Sequence, residues 1–438
     1  MKIRDSYSHE VKKFSGILFI ILLSSGVALG EEKWPQFRGS KGGAAIDSAT
    51  LPLKWSANEN VRWKTDLPGP GSSSPIFWGN RLFVTCYTGY GIGEKEAGNA
   101  DELSRTLLCL DRKIGKILWK GEVPLANPED DYRGYLTEHG YASATPVTDG
   151  KHVYAFFGKS GVHAFTVAGD KVWSEQVGNS SSNRRWGSAA SPILVGDLLI
   201  VNAADEARAI IAFDKATGAE KWRYEAKQLE LTYNTPTVHT PKSGKIELVI
   251  AAPNEIFALD PETGKKLWWA KSEIPGNISP CVISEGEILF TTGGYPRNGS
   301  IAIKGGGSGD MTDKILWKSK TFSYVPSSVC EDGLLFWVND EASVIAMDLL
   351  KGETVTKRSV AAIKKRKKFS FYASTLRVGD NLVAVSRRNG TFIFEAGREM
   401  KLIRVNTLDD ASDFNATPAL ASDAIYLRSN NAVYCISK

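Results

Sequence analysis

The chain is 438 residues long, 42% hydrophobic and 24% charged, with a formal net charge of +5. This is the composition of a soluble globular protein, and so mild a charge excludes a bulk electrostatic grip on nucleic acid. Five cysteines, Cys86, Cys109, Cys281, Cys330 and Cys435, are scattered along the chain and leave one unpaired, which excludes a disulfide framework and predicts mostly buried free thiols.

At the start, Lys12 and Lys13 precede the apolar stretch Phe14 to Leu23, too short for a spanning helix, and the small-residue site Ala28-Leu29-Gly30 follows. The pattern predicts a secretory signal peptide over residues 1–30, cleaved near Gly30, with an uncleaved anchor as the competing reading. Residues 31–54 read as a leader segment and 55–438 as one domain. The mature chain is expected without a membrane span, in a periplasm or outside the cell.

From there the sequence repeats. A small hydroxyl residue, usually beside proline, opens units at Ser74-Pro75, Thr145-Pro146, Ser191-Pro192, Thr235-Pro236, Ser279-Pro280, Pro326-Ser327, Ser374-Thr375 and Thr417-Pro418. After a long first interval the openings stand roughly 43 to 48 residues apart, the period of propeller blades. In the clearest copy, Leu198 to Ala203 is an apolar run bounded by turn residues, Ile210 to Asp214 a second, and the turn Lys215-Ala216-Thr217-Gly218 returns the chain through Ala219 to Tyr224, with Trp222 on the last strand. Four antiparallel strands make one such unit. Trp119, Trp173, Trp268 and Trp317 end other units in the same way, and an indole there fills the wedge between blades fanning out from an axis. The turns near Lys351 and Gly397 lack the tryptophan, so those two blades are expected to be softer.

The last repeat stops at Ala432 to Ser437 without its tryptophan strand, while Asn60 to Leu67, around Trp63, is a tryptophan strand without its other three. Joined, they complete a final blade and close the ring, which removes open sheet edges. The fold class is therefore all-β: an eight-bladed propeller of four-stranded antiparallel blades, closed by an N-terminal strand. Repeats that bury core between neighbours grow as one body, which favours a single propeller domain and a monomer.

These residues resemble the pyrroloquinoline-quinone-like (PQQ-like) propeller repeats, whose unit pairs a Ser/Thr-Pro opening with an Ala-Leu-Asp-x-x-Thr-Gly-Lys-x-x-Trp ending, and the match covers about residues 55–438. Within that superfamily the chain looks most like the non-enzymatic, BamB-like branch, and Trp34-Pro35-Gln36-Phe37-Arg38-Gly39 looks like the leader of secreted bacterial members. No cysteine follows the apolar run, so the lipid attachment of the outer-membrane assembly factor is not expected. The quinone-dependent alcohol dehydrogenases of this fold carry two adjacent cysteines and a carboxylate set around calcium; neither is found here at matching positions. The resemblance therefore implies a binding or scaffold protein with a protein or cell-envelope polymer as partner, no cofactor and no metal. The alternative is an oxidoreductase-like enzyme with PQQ over the axis.

Residues just before each opening cluster at one mouth of the axial channel. There the sequence places His139, Tyr141, Arg185, Trp186, Tyr233, Asn234, Tyr324, Tyr372, Phe414 and Asn415, a mix of aromatic rings, amides and donors that suits a polar ligand or peptide. The competing reading is that the rings plug the mouth. No catalytic residue is assigned, because His139 has no Ser or Cys partner evident in sequence and no phosphate-cradling loop is present. The long segments Tyr87 to Thr106 and Val123 to Glu138 also border the mouth, and the acids Glu129, Asp130 and Asp131 lack the alternating spacing of a calcium loop. The basic run Lys364 to Lys368 reads as a solvated loop, with attraction to an anionic surface as its alternative.

Overall fold

A computed structural model describes residues 1, 31–40, 42–47, 51–93, 96–363 and 370–438. The apolar stretch before Gly30 and the basic run Lys364 to Lys368 lie outside them. From residue 32 onward the chain is a ring of eight sheets. Blades 1 to 7 occupy residues 76–124, 147–175, 193–225, 237–271, 283–319, 329–359 and 376–406. Blade 8 joins 419–436 to Val61–Asp66. Each is an antiparallel meander of neighbouring strands. Among the described residues no helix is long and apolar enough to cross a membrane.

Ring closure takes the expected register: Trp63 lies opposite Cys435, Lys64 opposite Tyr434 and Asp66 opposite Ala432. The middle strands of each blade are buried without alternation, as in Leu82 to Tyr87, because neighbouring blades cover both faces. Outer strands alternate; Lys171–Glu175 buries Trp173 alone. Cys86 and Cys109 sit on adjacent strands but face Thr106 and Phe83, and all five cysteines are free thiols.

The tryptophans fasten blade to blade. Trp63, Trp119, Trp173, Trp222 and Trp317 each donate the indole Nε1–H to a carbonyl in the turn of the next blade, those of Arg112, Val167, Lys215, Pro261 and Leu349, at 2.9–3.0 Å. The turn glycine lies flat against that ring: a Cβ on Gly218, whose φ is +80°, would stand 2.8 Å from Trp173. Trp268 differs, donating within its own blade to the buried Glu247, which also receives Gly306 N–H from an insertion whose strand Gly309–Asp310 lies along the outside of blade 4. Thr356 takes the tryptophan position in blade 6 and donates Oγ1–H to Arg398 O at 2.7 Å, beside Arg358 reaching the Glu399 and Met400 carbonyls. At blade 7 the segment 51–56 supplies Leu51 and Trp55 to the core, tied by Asn406 to Trp55 N and Leu53 O.

A second fastening lies at the axis. The amide of Ser74 donates to Thr145 Oγ1, that of Thr145 to Ser191 Oγ, and so on through Thr235, then from Cys281 to Ser327, Ser374 and Thr417, at 2.9–3.1 Å. Every blade's first strand begins two residues after this position. The rule corrects one sequence reading: blade 5 enters the ring at Cys281, not at Ser279-Pro280, and its first strand starts at Ile283. The Ser-Pro dipeptide looked like its seven counterparts, but two extra residues carry the chain past it before the strand begins.

The leader crosses one mouth of the channel. Lys33–Trp34 pairs with the innermost strand of blade 1, and Ala45–Ile46 runs parallel to that of blade 7. Between them Pro35 O accepts from Thr148 N, and Arg38, buried, donates to Gly42 O and Ser328 O. The described residues of the leader thus plug this mouth.

Candidate functional site

Above the plug lies a cup on the axis, about 1010 Å³ with the solvent-open space at its mouth counted in. Its floor is the ring of Ser74, Thr145, Ser191, Thr235, Cys281, Ser327, Ser374 and Thr417, with Phe37 of the plug beneath. Phe37 also borders a second cavity on the far side, so the cup is blind. Small hydroxyl residues suit the floor because eight side chains converge there, and accepting the neighbour's amide fixes six of the oxygens in place.

The wall comes from the segments that lead into each ring position. His139, Trp186, Tyr233, Tyr324, Tyr372 and Asn415 line it, as do Tyr135, Glu138, Ser143 and Asn277, which the sequence reading left out of its candidates. Trp186 stacks on Tyr233 at 6.1 Å and meets the edge of Tyr135 at 4.5 Å. Burial pushes the phenols of Tyr233, Tyr324 and Tyr372 up, so they stay protonated.

The other four candidates lie outside the cup lining. Tyr141 is buried in a small core with Tyr87, Tyr90 and Leu136, where the two long segments pack on each other, and donates to Asp130 O. Arg185 is exposed with a φ of +54°. Asn234 is fully buried and clamps Ala251 O and Ile278 O. Phe414 stacks on Tyr434 away from the cup. The acids are also paired: Glu129 with Arg105, Asp130 with Lys159 at 3.3 Å, and Asp131 with Arg133 at 3.5 Å.

One charged group beside the wall was missed. Arg387, in a hairpin of blade 7, ion-pairs with Glu138 at 2.6 Å and with Asp413, donates Nε–H to Asn415 at 2.8 Å, and lies 4.5 Å over the Tyr372 ring. Its only sequence signal is the pair Arg387-Arg388 in a tight turn, which reads as surface charge. His139 does have a serine partner: Nδ1 lies 2.5 Å from Ser143 Oγ and Nε2 3.0 Å from Trp186 O. The carbonyl requires Nε2–H, which leaves Nδ1 to accept the serine hydroxyl. Desolvation lowers the imidazole pKa to about 4, so it is neutral and a feeble base at neutral pH. This dyad ties the blade 1–2 connection to the 182–187 loop.

A closed ring of eight meandering blades around a plugged axial cup defines the chain as a β-propeller with a blind well. A family model described as outer membrane protein assembly factor BamB matches residues 47–185 and 104–358, and the chain belongs to this PQQ-like propeller family. BamB from Moraxella catarrhalis is similar in structure, with a TM-score of 0.57 and 13% identity over 86% of this chain and 96% of that one. A europium-containing methanol dehydrogenase superposes with a TM-score of 0.62 and 11% identity, over 92% and 90%. At such identities the likeness shows the fold alone. The quinoprotein alcohol dehydrogenase PedH of Pseudomonas putida is 33% identical over 136 residues, 31% of this chain; the chain spans about a fifth of that relative's length, 20%.

Proposed function

We propose that the chain is a secreted or periplasmic, monomeric binding protein whose axial cup, within the propeller of residues 55–438, holds part of a partner protein or cell-envelope polymer. The observation that carries this is the blind cup itself, closed below by Phe37 and walled by aromatic, amide and hydroxyl side chains, the make-up of a ligand site rather than a plugged mouth. Envelope location is supported by the BamB family match and by the apolar N-terminal pattern.

The residues around the cup do not fit a calcium-bound quinone tricarboxylate. That group needs cations and a carboxylate set, yet among the described residues no Lys or Arg lines the cup and Glu138 is committed to Arg387. Among the described residues no group of three His, Cys, Asp or Glu side chains is placed to hold a metal. Adding PQQ with calcium to the purified chain should leave its melting temperature unchanged; cofactor absorbance together with a clear rise would overturn the binding reading in favour of an oxidoreductase. Placing a photo-crosslinking residue at Tyr324 should capture an envelope component in cells, whereas the same probe at Val172, exposed on an outer strand, should not.

A further inference from the structure

We infer that the cup recognises an uncharged saccharide, a short stretch of glycan whose sugar faces lie against Trp186 and Tyr372 while its oxygens meet the hydroxyl ring; this rests on the binding reading above. Three observations on the lining converge. The first is charge. Glu138 and Arg387 neutralise one another at 2.6 Å, among the described residues no Lys or Arg lines the cup, and His139 is neutral at physiological pH. A phosphate or carboxylate would find no uncommitted cation in that lining and would face the Glu138 carboxylate, so charge selects against an anion.

The second is the floor. Thr145, Ser191, Thr235, Ser327, Ser374 and Thr417 each accept a neighbour's amide, and no described residue offers an acceptor for the hydrogens those hydroxyls carry. A ligand that fits must therefore bring acceptor oxygens to the axis without bringing charge, which is the chemistry of a polyol. The third is Asn277. It is 3% exposed, borders the cup beside the Tyr324 phenol, and its Nδ2 is buried without a hydrogen bond of full geometry. An unpaired buried amide costs stability unless an acceptor reaches it.

An extended peptide fits less well, since it gains affinity from an open strand edge, and none of the residues lining this cup belongs to a strand. Aromatic faces beside planar amides and hydroxyls match sugar rings, which present an apolar C–H face and an equatorial belt of hydroxyls.

The test is calorimetric titration of the purified chain with neutral chito- and cello-oligosaccharides, and with oligogalacturonate as the anionic counterpart, at low and high salt. The expected result is one-site binding of a neutral oligomer that salt does not change and that Trp186→Ala and Tyr372→Leu each weaken about tenfold. Asn277→Asp is close to isosteric and should weaken binding comparably even if the aromatic variants fold poorly. Absence of binding to every neutral oligomer, tighter salt-sensitive binding of oligogalacturonate, or binding indifferent to all three substitutions would overturn the inference. A protein crosslinked at Tyr324 alongside silent titrations would sink the saccharide while leaving the binding reading intact.

Discussion

Neighbouring blades are fastened at two radii, and the two fastenings tolerate change differently. At the rim, an indole docks on the next blade's turn at five joints, but Thr356 with Arg358 replaces it between blades 6 and 7, and Trp55 from the N-terminal segment serves blade 7. At the axis the device hardly varies: six of the eight positions carry a small side chain whose oxygen accepts the previous blade's amide, and Cys281 is the one position of the eight without a hydroxyl. The difference is geometric. A wedge that widens outward can be filled by any group of sufficient volume, whereas eight side chains meeting at the axis have room only for small ones, and each must still satisfy a buried amide.

The largest break in this comparison is Trp222→Ala. It empties the wedge between blades 3 and 4 and orphans the Pro261 carbonyl, so denaturant unfolding should show a loss of about 3–5 kcal/mol. Thr356→Ala should cost about 1 kcal/mol, because that joint is held by hydrogen bonds at a partly exposed surface. Equal losses at the two sites would mean that the indole contributes no more than its hydrogen bond.

Acid should act on the connection that His139 makes. Its folded pKa of about 4 lies below the ordinary histidine value of 6.5, so between those values the unfolded chain binds a proton that the folded chain refuses. Stability is therefore full above about pH 6.5 and falls as pH drops toward 4, by about 3 kcal/mol from this group. His163, also lowered to about 4 by burial, works in the same direction. His139→Gln should flatten the curve measured by chemical denaturation between pH 7 and 5; an unchanged slope would assign the acid sensitivity elsewhere.

The blade count, the closing strand and the turn glycines were legible because they rest on local chemistry repeated at a fixed period: a Gly at positive φ, a Trp four residues later, an apolar run before it. The axis register of blade 5 was not, because Ser279-Pro280 copies the motif while the chain needs Cys281 at the ring. In the cup, residues close before each ring position, such as Tyr233 and Tyr372, could be placed by counting. Arg387 could not, since it arrives from a hairpin loop with no fixed spacing to the ring, and its partner Glu138 sits on another blade's connection. Asn234 was miscounted for the opposite reason: adjacent positions in an extended segment face opposite ways, so Tyr233 and Thr235 line the cup while Asn234 enters the core. Tyr141 was miscounted because the helical turn 136–139 and Gly140 precede it and turn it into the core of the two long segments.

At the axis, Ser374→Ala removes the acceptor of the Ser327 amide and should cost about 2 kcal/mol, measured as a shift in unfolding midpoint. The smallest effect has the opposite sign and tests the ring most directly. In blade 5 the thiol of Cys281 holds the position where every other blade offers a hydroxyl, and sulfur is a weak acceptor. No side chain among the described residues accepts the Thr235 amide, the one that the pattern assigns to blade 5. Cys281→Ser puts an acceptor of the right size there, so it should stabilise the chain by about 0.5–1 kcal/mol and leave the fold unchanged. A loss instead would mean that blade 5 is held by the thiol's packing against the plug, and that the hydroxyls elsewhere owe their place to the ligand rather than to the ring.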